Sequence, residues 1–166
     1  MSGELVVLRI LHIVAGVSWV GTAVFMSVVL EPILRGAGPD VMKVIGPKLA
    51  PRMTAFLHSV ALTTIVAGLI LIWRTTGRGY DQLFSNAWGW AIGIGMITAI
   101  VGYGFGATSG MAMMKVLKIS NGLQGPPPPE TIARINALRD RNRNFLRIAT
   151  ILVIIGVGAM ASARYV

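Results

Sequence analysis

The chain has no cysteine. Disulfides, thiolate metal centres and cysteine nucleophiles are therefore excluded. Acidic residues are also scarce, with six Asp and Glu against fifteen Lys and Arg. Charged residues make up 13% of the 166, about half the share of an average soluble domain. No Asp or Glu falls inside a long apolar run, so paired carboxylates for acid–base catalysis are missing there. Walker A and zinc-protease motifs are absent. So is a basic n-region before the first apolar run, which is too long for a signal h-region and reads as a mature span.

Hydrophobic residues make up 54% of the chain. A single domain with so little charge cannot cover its surface for water, and an integral membrane protein is expected. The net charge is +9. The basic residues lie between apolar segments, so they suit anionic lipid headgroups and point to no nucleic acid.

A bilayer core takes about 20 apolar residues as helix. Four segments meet that length: Ile10–Leu30, Met53–Trp73, Trp88–Thr108 and Phe145–Tyr165. Only Arg147 and Arg164 are charged within them, at the ends of the last, where they can snorkel. The side holding the first and third connections carries Arg35, Lys43, Lys48, Arg52, Lys115, Lys118, Arg134, Arg139, Arg141, Arg143 and Arg147. The other side carries Arg9, Arg74, Arg78 and Arg164, so the balance is eleven to four. The positive-inside rule makes the first side cytoplasmic. The expected fold is an all-α integral membrane four-helix bundle in the cell (inner or plasma) membrane, N-out and C-out. A long cytoplasmic loop joins helices 3 and 4.

Pro32, Pro39, Pro47 and Pro51 are expected to break the first connection, leaving at most a short interfacial helix near 41–45. Past the third span, "MAMMKVLKIS" can extend the helix until the breaker at Gly125–Glu130. Ile132, Ile135 and Leu138 then mark an amphipathic basic helix, about 130–147, that leads into the fourth span. Trp73, Tyr80, Trp88 and Trp90 suit an aromatic belt at the outer interface. In the third span Gly89 and Gly93 are four apart, as are Gly102, Gly106 and Gly110. Such spacing lets helices approach closely, or leaves room for a flat cofactor or a partner helix.

The only histidines, His12 and His58, both lie within spans. Ionisable groups inside a membrane are functional candidates, and imidazole ligates haem iron and copper. The structural alternative is a neutral ring bonded to a carbonyl or hydroxyl on a neighbouring helix. Depth argues against one bis-histidine haem. His12 lies about 12 Å outward of its span centre and His58 about 7–8 Å inward of its own, a gap of roughly 20 Å. Methionine offers other pairs: an outer His12/Met160 and an inner His58/Met26, suited to haem b or copper, against methionine as mere core filler. His12, Gly16 and Trp19 follow i, i+4, i+7 spacing and share a face. A planar ligand could lie over Gly16 between the rings, or another helix could pack there.

"HIVAGVSWVG" sets His12, Trp19 and Gly21 in the pattern H-x6-W-x-G. This resembles the first helix of a group of small four-helix membrane proteins. The group includes the copper resistance protein D family, the bacterial membrane protoporphyrinogen oxidases and related proteins of no assigned activity. "FMSVVLEPIL" and "GAMASARYV" look most like the last of these. The resemblance implies a b-type haem or copper-associated protein, with His12 matching the haem-linked histidine of the oxidases. The lysine that those oxidases carry in their third helix has no counterpart in Trp88–Thr108. Three functions follow as expectations: a haem-binding or redox-associated membrane protein, a non-catalytic subunit of a larger membrane complex or homo-oligomer, and copper handling.

Overall fold

A computed structural model describes residues 3–77, 80–123 and 125–166, without the side chain of Pro39. Arg78 lies outside these residues. The chain is helical almost throughout. Helix α1 spans Gly3–Phe25, a π-helical turn Met26–Leu30, α2 Glu31–Gly36, α3 Gly38–Thr75, α4 Ala87–Asn121 and α5 Pro129–Ser162. Four stretches are long and apolar enough to cross a membrane: Gly3–Gly36, Asp40–Thr75, Ala87–Asn121 and Pro129–Ser162.

Neighbouring helices run antiparallel. Glu4 at the start of α1 pairs with Arg74 at the end of α3 at 2.7 Å. Gly95 early in α4 meets Met160 late in α5, and Ser109 late in α4 meets Asn142 early in α5. The contacts run α1–α3–α4–α5 and back to α1, where Thr150 reaches the Ala23 carbonyl. A four-helix ring results.

The core is made of small residues. Most of the buried apolar residues among those described are alanines, including Ala15, Ala23, Ala61 and Ala149. Trp19, Ala23, Ala61 and Val153 form its centre. Large aliphatic side chains face outward instead: Val17 is 69% exposed, Val28 65% and Ile151 58%. Small residues inside and branched ones outside is the pattern of helices that associate by close backbone approach, with lipid around them.

One expectation about the connections changes. The segment from Glu31 to Arg52 is not broken by its prolines. Pro39 lies in the first turn of α3, where a missing N–H costs nothing, and Pro32 follows directly on the π-helical turn, with helix on both sides of it. Pro47 and Pro51 lie inside α3. Each removes one backbone hydrogen bond and crowds the carbonyl four residues back. Both are exposed, so the freed carbonyls of Lys43 and Pro47 can be solvated on the outside. Between the third and fourth spans α4 continues to Asn121 and α5 starts at Pro129, so most of that connection is helix, as its sequence led us to expect.

At the other end, Asn86 caps α4 by accepting from Gly89 N–H at 2.8 Å. Phe84 adopts a left-handed φ of 67° and inserts its ring against Gly93, where a methyl group would stand 2.4 Å from Phe84 Cε1. Asn86→Ala should cost about 1 kcal/mol by loss of this cap. Thermal unfolding in one detergent, followed by helical circular dichroism, measures it; an unchanged midpoint would remove the cap from the account of α4.

Candidate functional site

The two histidines have different surroundings. His12 Nδ1–H donates to the Thr64 carbonyl of α3 at 2.8 Å. Its ring fills the space that Gly68 leaves: a methyl group on Gly68 would lie 2.8 Å from His12 Cε1. One turn along α1, a methyl on Gly16 would touch Thr64 Cγ2 at 3.4 Å. His12 and Gly16 therefore seat α1 on α3, and Thr64 stands where Gly16 leaves room. Met160 is on a different seam, packed over Gly95 of α4. His12 and Met160 face different helices.

His58 turns its Nδ1–H back to the Thr54 carbonyl of its own helix, at 2.8 Å. That bond fixes the tautomer, so Nε2 keeps its lone pair on the far side of the ring. The ring stands edge-on to Tyr103, with centroids 5.5 Å apart, and Tyr103 stands edge-on to Trp19 at 6.5 Å. Along α3, His58 is six residues from Thr64 and ten from Gly68, about 9–15 Å by helical rise. This separation is smaller than the roughly 20 Å expected from the span centres, because His12 reaches across to Thr64 and Gly68 of α3.

Trp19, His58 and Tyr103 line one end of a cavity of about 280 Å³. It runs from there through the half of the bundle that holds the eleven basic residues. Met26, Met53, Leu57 and Met113 form its apolar middle, and Gly102, Gly106 and Gly110 form part of its α4 wall. Glu31, Arg35, Arg139 and Asn142 line the opposite, charged end. Of the residues expected at a site, Trp19, Met26 and His58 are thus brought together. His12, Gly16 and Met160 lie outside the cavity.

The glycines of α4 divide by position. Gly95 meets Met160 and the Gly156 carbonyl, and a methyl on Gly102 would lie 3.1 Å from Val153 Cγ1, so these two form the close seam with α5. Gly106 has only Ala149 Cβ near, at 3.9 Å, and opens on the cavity. Close packing and a ligand space are both built from one glycine series. A partner helix would find Gly89, Gly93, Gly95 and Gly102 already occupied by this chain.

Glu31 enters the site by a register change. Helical spacing from Trp19 through Ala23 and Met26 leads to Leu30. The π-helical turn adds a residue there, and Glu31 N–H bonds to the Met26 carbonyl five residues back. Glu31 therefore takes the inward place. Its carboxylate stands 3.9 Å from Arg35 Nε, and its second oxygen is buried without a hydrogen-bond partner among the described residues. Tyr103 carried a simpler signal. It lies mid-span, whereas Tyr80 and Tyr165 lie outside the helices.

Among the described residues, no group of three or more His, Asp or Glu gathers in metal-binding geometry. No family model, curated protein or solved structure matches the chain.

Proposed function

We propose that this chain is a multi-pass integral membrane protein that binds an amphipathic ligand in the cavity of its bundle. The observation that carries the reading is the cavity's composition: aromatic and imidazole groups at one end, methionine, leucine and glycine between, and charged residues at the other. Pockets that hold ligands combine apolar walls with a few placed polar groups in this way. The basic end lies at the cytoplasmic leaflet and both termini lie outside, by the excess of Lys and Arg around it. Anionic headgroups are the surface it meets.

Cavity filling tests this. Gly106→Leu places a side chain in open space, so the fold should persist while the ligand is excluded. Native mass spectrometry of protein purified from its own host should show a bound amphiphile on the wild type and none on Gly106→Leu. Equal retention by both proteins would place the ligand elsewhere.

A second reading names b-type haem, and the exposed lone pair of His58 favours it. The donor set suits that group: His58 Nε2 for the iron, Met26 as a second ligand, and Arg35 and Arg139 for the propionates. Haem would supply one-electron chemistry there. His58, rather than His12, would then hold the iron, because His58 lines the cavity and the His12 ring is packed against Gly68 outside it. A Soret band lost in His58→Ala and kept in His12→Ala would support it; a colourless wild-type protein would remove it.

A further inference from the structure

Three ring side chains that line one end of the cavity each carry a polar atom without a hydrogen bond to a described residue. His58 Nε2 is the free nitrogen of a ring whose Nδ1 is already committed to Thr54. Trp19 Nε1–H and Tyr103 Oη make no hydrogen bond to any described residue, yet both side chains line the cavity. The three rings form one edge-to-face series. They lie at the centre of the apolar bundle, beside Ala61 and Val153, which are 1% and 3% exposed. Polar atoms that line an open cavity without a protein partner are available to a bound molecule, and an apolar surrounding strengthens any hydrogen bond they make. The arrangement therefore suits a ligand atom.

The chemistry of the three groups narrows that ligand. Indole N–H donates only; the phenol donates or accepts; the neutral imidazole, with Nδ1–H used, accepts only at Nε2. The matching partner carries an oxygen that accepts and, in one form, a hydroxyl that donates. It is flat enough to lie among three rings, and its remainder is apolar enough for Met26, Met53 and Leu57. A volume of about 280 Å³ suits one small ring with part of a chain, at the low end of ligand pockets.

We propose that Trp19, His58 and Tyr103 form the ring site of a lipid-soluble quinone or quinol. Its carbonyl oxygen accepts from Trp19 and Tyr103, and the hydroxyl of the reduced form donates to His58 Nε2. The chain lies along the methionine-lined crevice. This rests on the cavity being a ligand site, and it names the ligand class.

The test is calorimetric titration of the detergent-purified, full-length protein with decylubiquinone, alongside native mass spectrometry of the same preparation. Wild type should bind one equivalent saturably. Tyr103→Phe and Trp19→Phe should each weaken binding about tenfold, the effect of one lost hydrogen bond. Met160→Leu, in the α4–α5 seam, should bind as the wild type does. Tyr103→Phe removes a single oxygen, so its melting point should equal that of the wild type and loss of binding is not loss of fold. Unchanged affinity in both aromatic variants would overturn the ring site. Absence of decylubiquinone binding with a retained phospholipid would overturn the quinone and leave the ligand cavity standing. A haem chromophore in place of decylubiquinone binding would also overturn it, in favour of the second reading above. Absence of any bound molecule would overturn the site and the cavity reading together.

Discussion

Gly68→Leu separates α1 from α3. A side chain at this position begins inside the His12 ring, with Cβ 2.8 Å from Cε1 and 3.0 Å from Nδ1. The ring cannot turn aside freely, because Nδ1–H holds the Thr64 carbonyl at 2.8 Å. Overpacking a fitted seam costs about 1–3 kcal/mol, and leaving the imidazole donor unpaired adds about 1–3 kcal/mol. Either is a large share of the stability of a small domain. Thermal unfolding in detergent should show a lowered midpoint for Gly68→Ala and a larger loss for Gly68→Leu. His12→Ala should destabilise the wild type, yet recover part of the loss in the Gly68→Ala background. That non-additivity is the signature of direct contact. Strict additivity would mean that the two residues do not share the seam.

Gly156→Leu should be the most damaging single change in the α4–α5 pair. Its Cβ would stand 2.9 Å from Thr98 Oγ1 and 3.2 Å from the Gly95 carbonyl oxygen. Gly95 returns the constraint, with its own Cβ 3.1 Å from the Gly156 carbonyl. Side chains can swing away from an intruding atom, but a helical carbonyl cannot without moving its helix. The axes must part, and the exchanges further along, such as Ser109 Oγ with Asn142 Oδ1 at 2.8 Å, go with them. Alanine at 156 should cost about 1–3 kcal/mol and leucine more. Size-exclusion chromatography should show a monodisperse wild type and an aggregated or proteolysed leucine variant. A monodisperse Gly156→Leu protein with the wild-type melting point would refute so close a crossing.

Much of the architecture was legible because membrane helices obey one strong constraint. The four long apolar runs foretold four long helices, and "MAMMKVLKIS" and "ETIARINALRDRNRNFLR" foretold their extension. The prolines misled, since Pro47 and Pro51 look like breakers by local rule. In α3 they fall on the exposed face, where a lost backbone bond is cheaply replaced. The site was half legible. Trp19, Met26 and His58 carried composition signals and do meet. His12 carried the same signal and packs against Gly68 instead. A histidine reads alike whether it faces a cavity or a carbonyl, and Thr64 is distant in sequence. Glu31 was hidden for a different reason. No periodicity rule crosses the π-helical turn at Met26–Leu30 without slipping by one residue. The glycines of α4 were visibly special, but spacing alone does not say whether a neighbouring helix or an empty space lies opposite each one.

The two prolines of α3 also set its mechanics. A helix resists bending through the ties between successive turns, and Pro47 and Pro51 delete two of them in adjacent turns. Bending stiffness is therefore lowest over this short interval. It adjoins Gly46, Leu49, Ala50 and Met53, which line the cavity. Beyond it toward Thr75 every turn is tied, and His12 clamps that part to α1. The protein is thus graded along its axis, rigid where the termini lie and pliant near the charged end. The clearance at that end can change by flexing one helix, with the seam at Gly68 undisturbed.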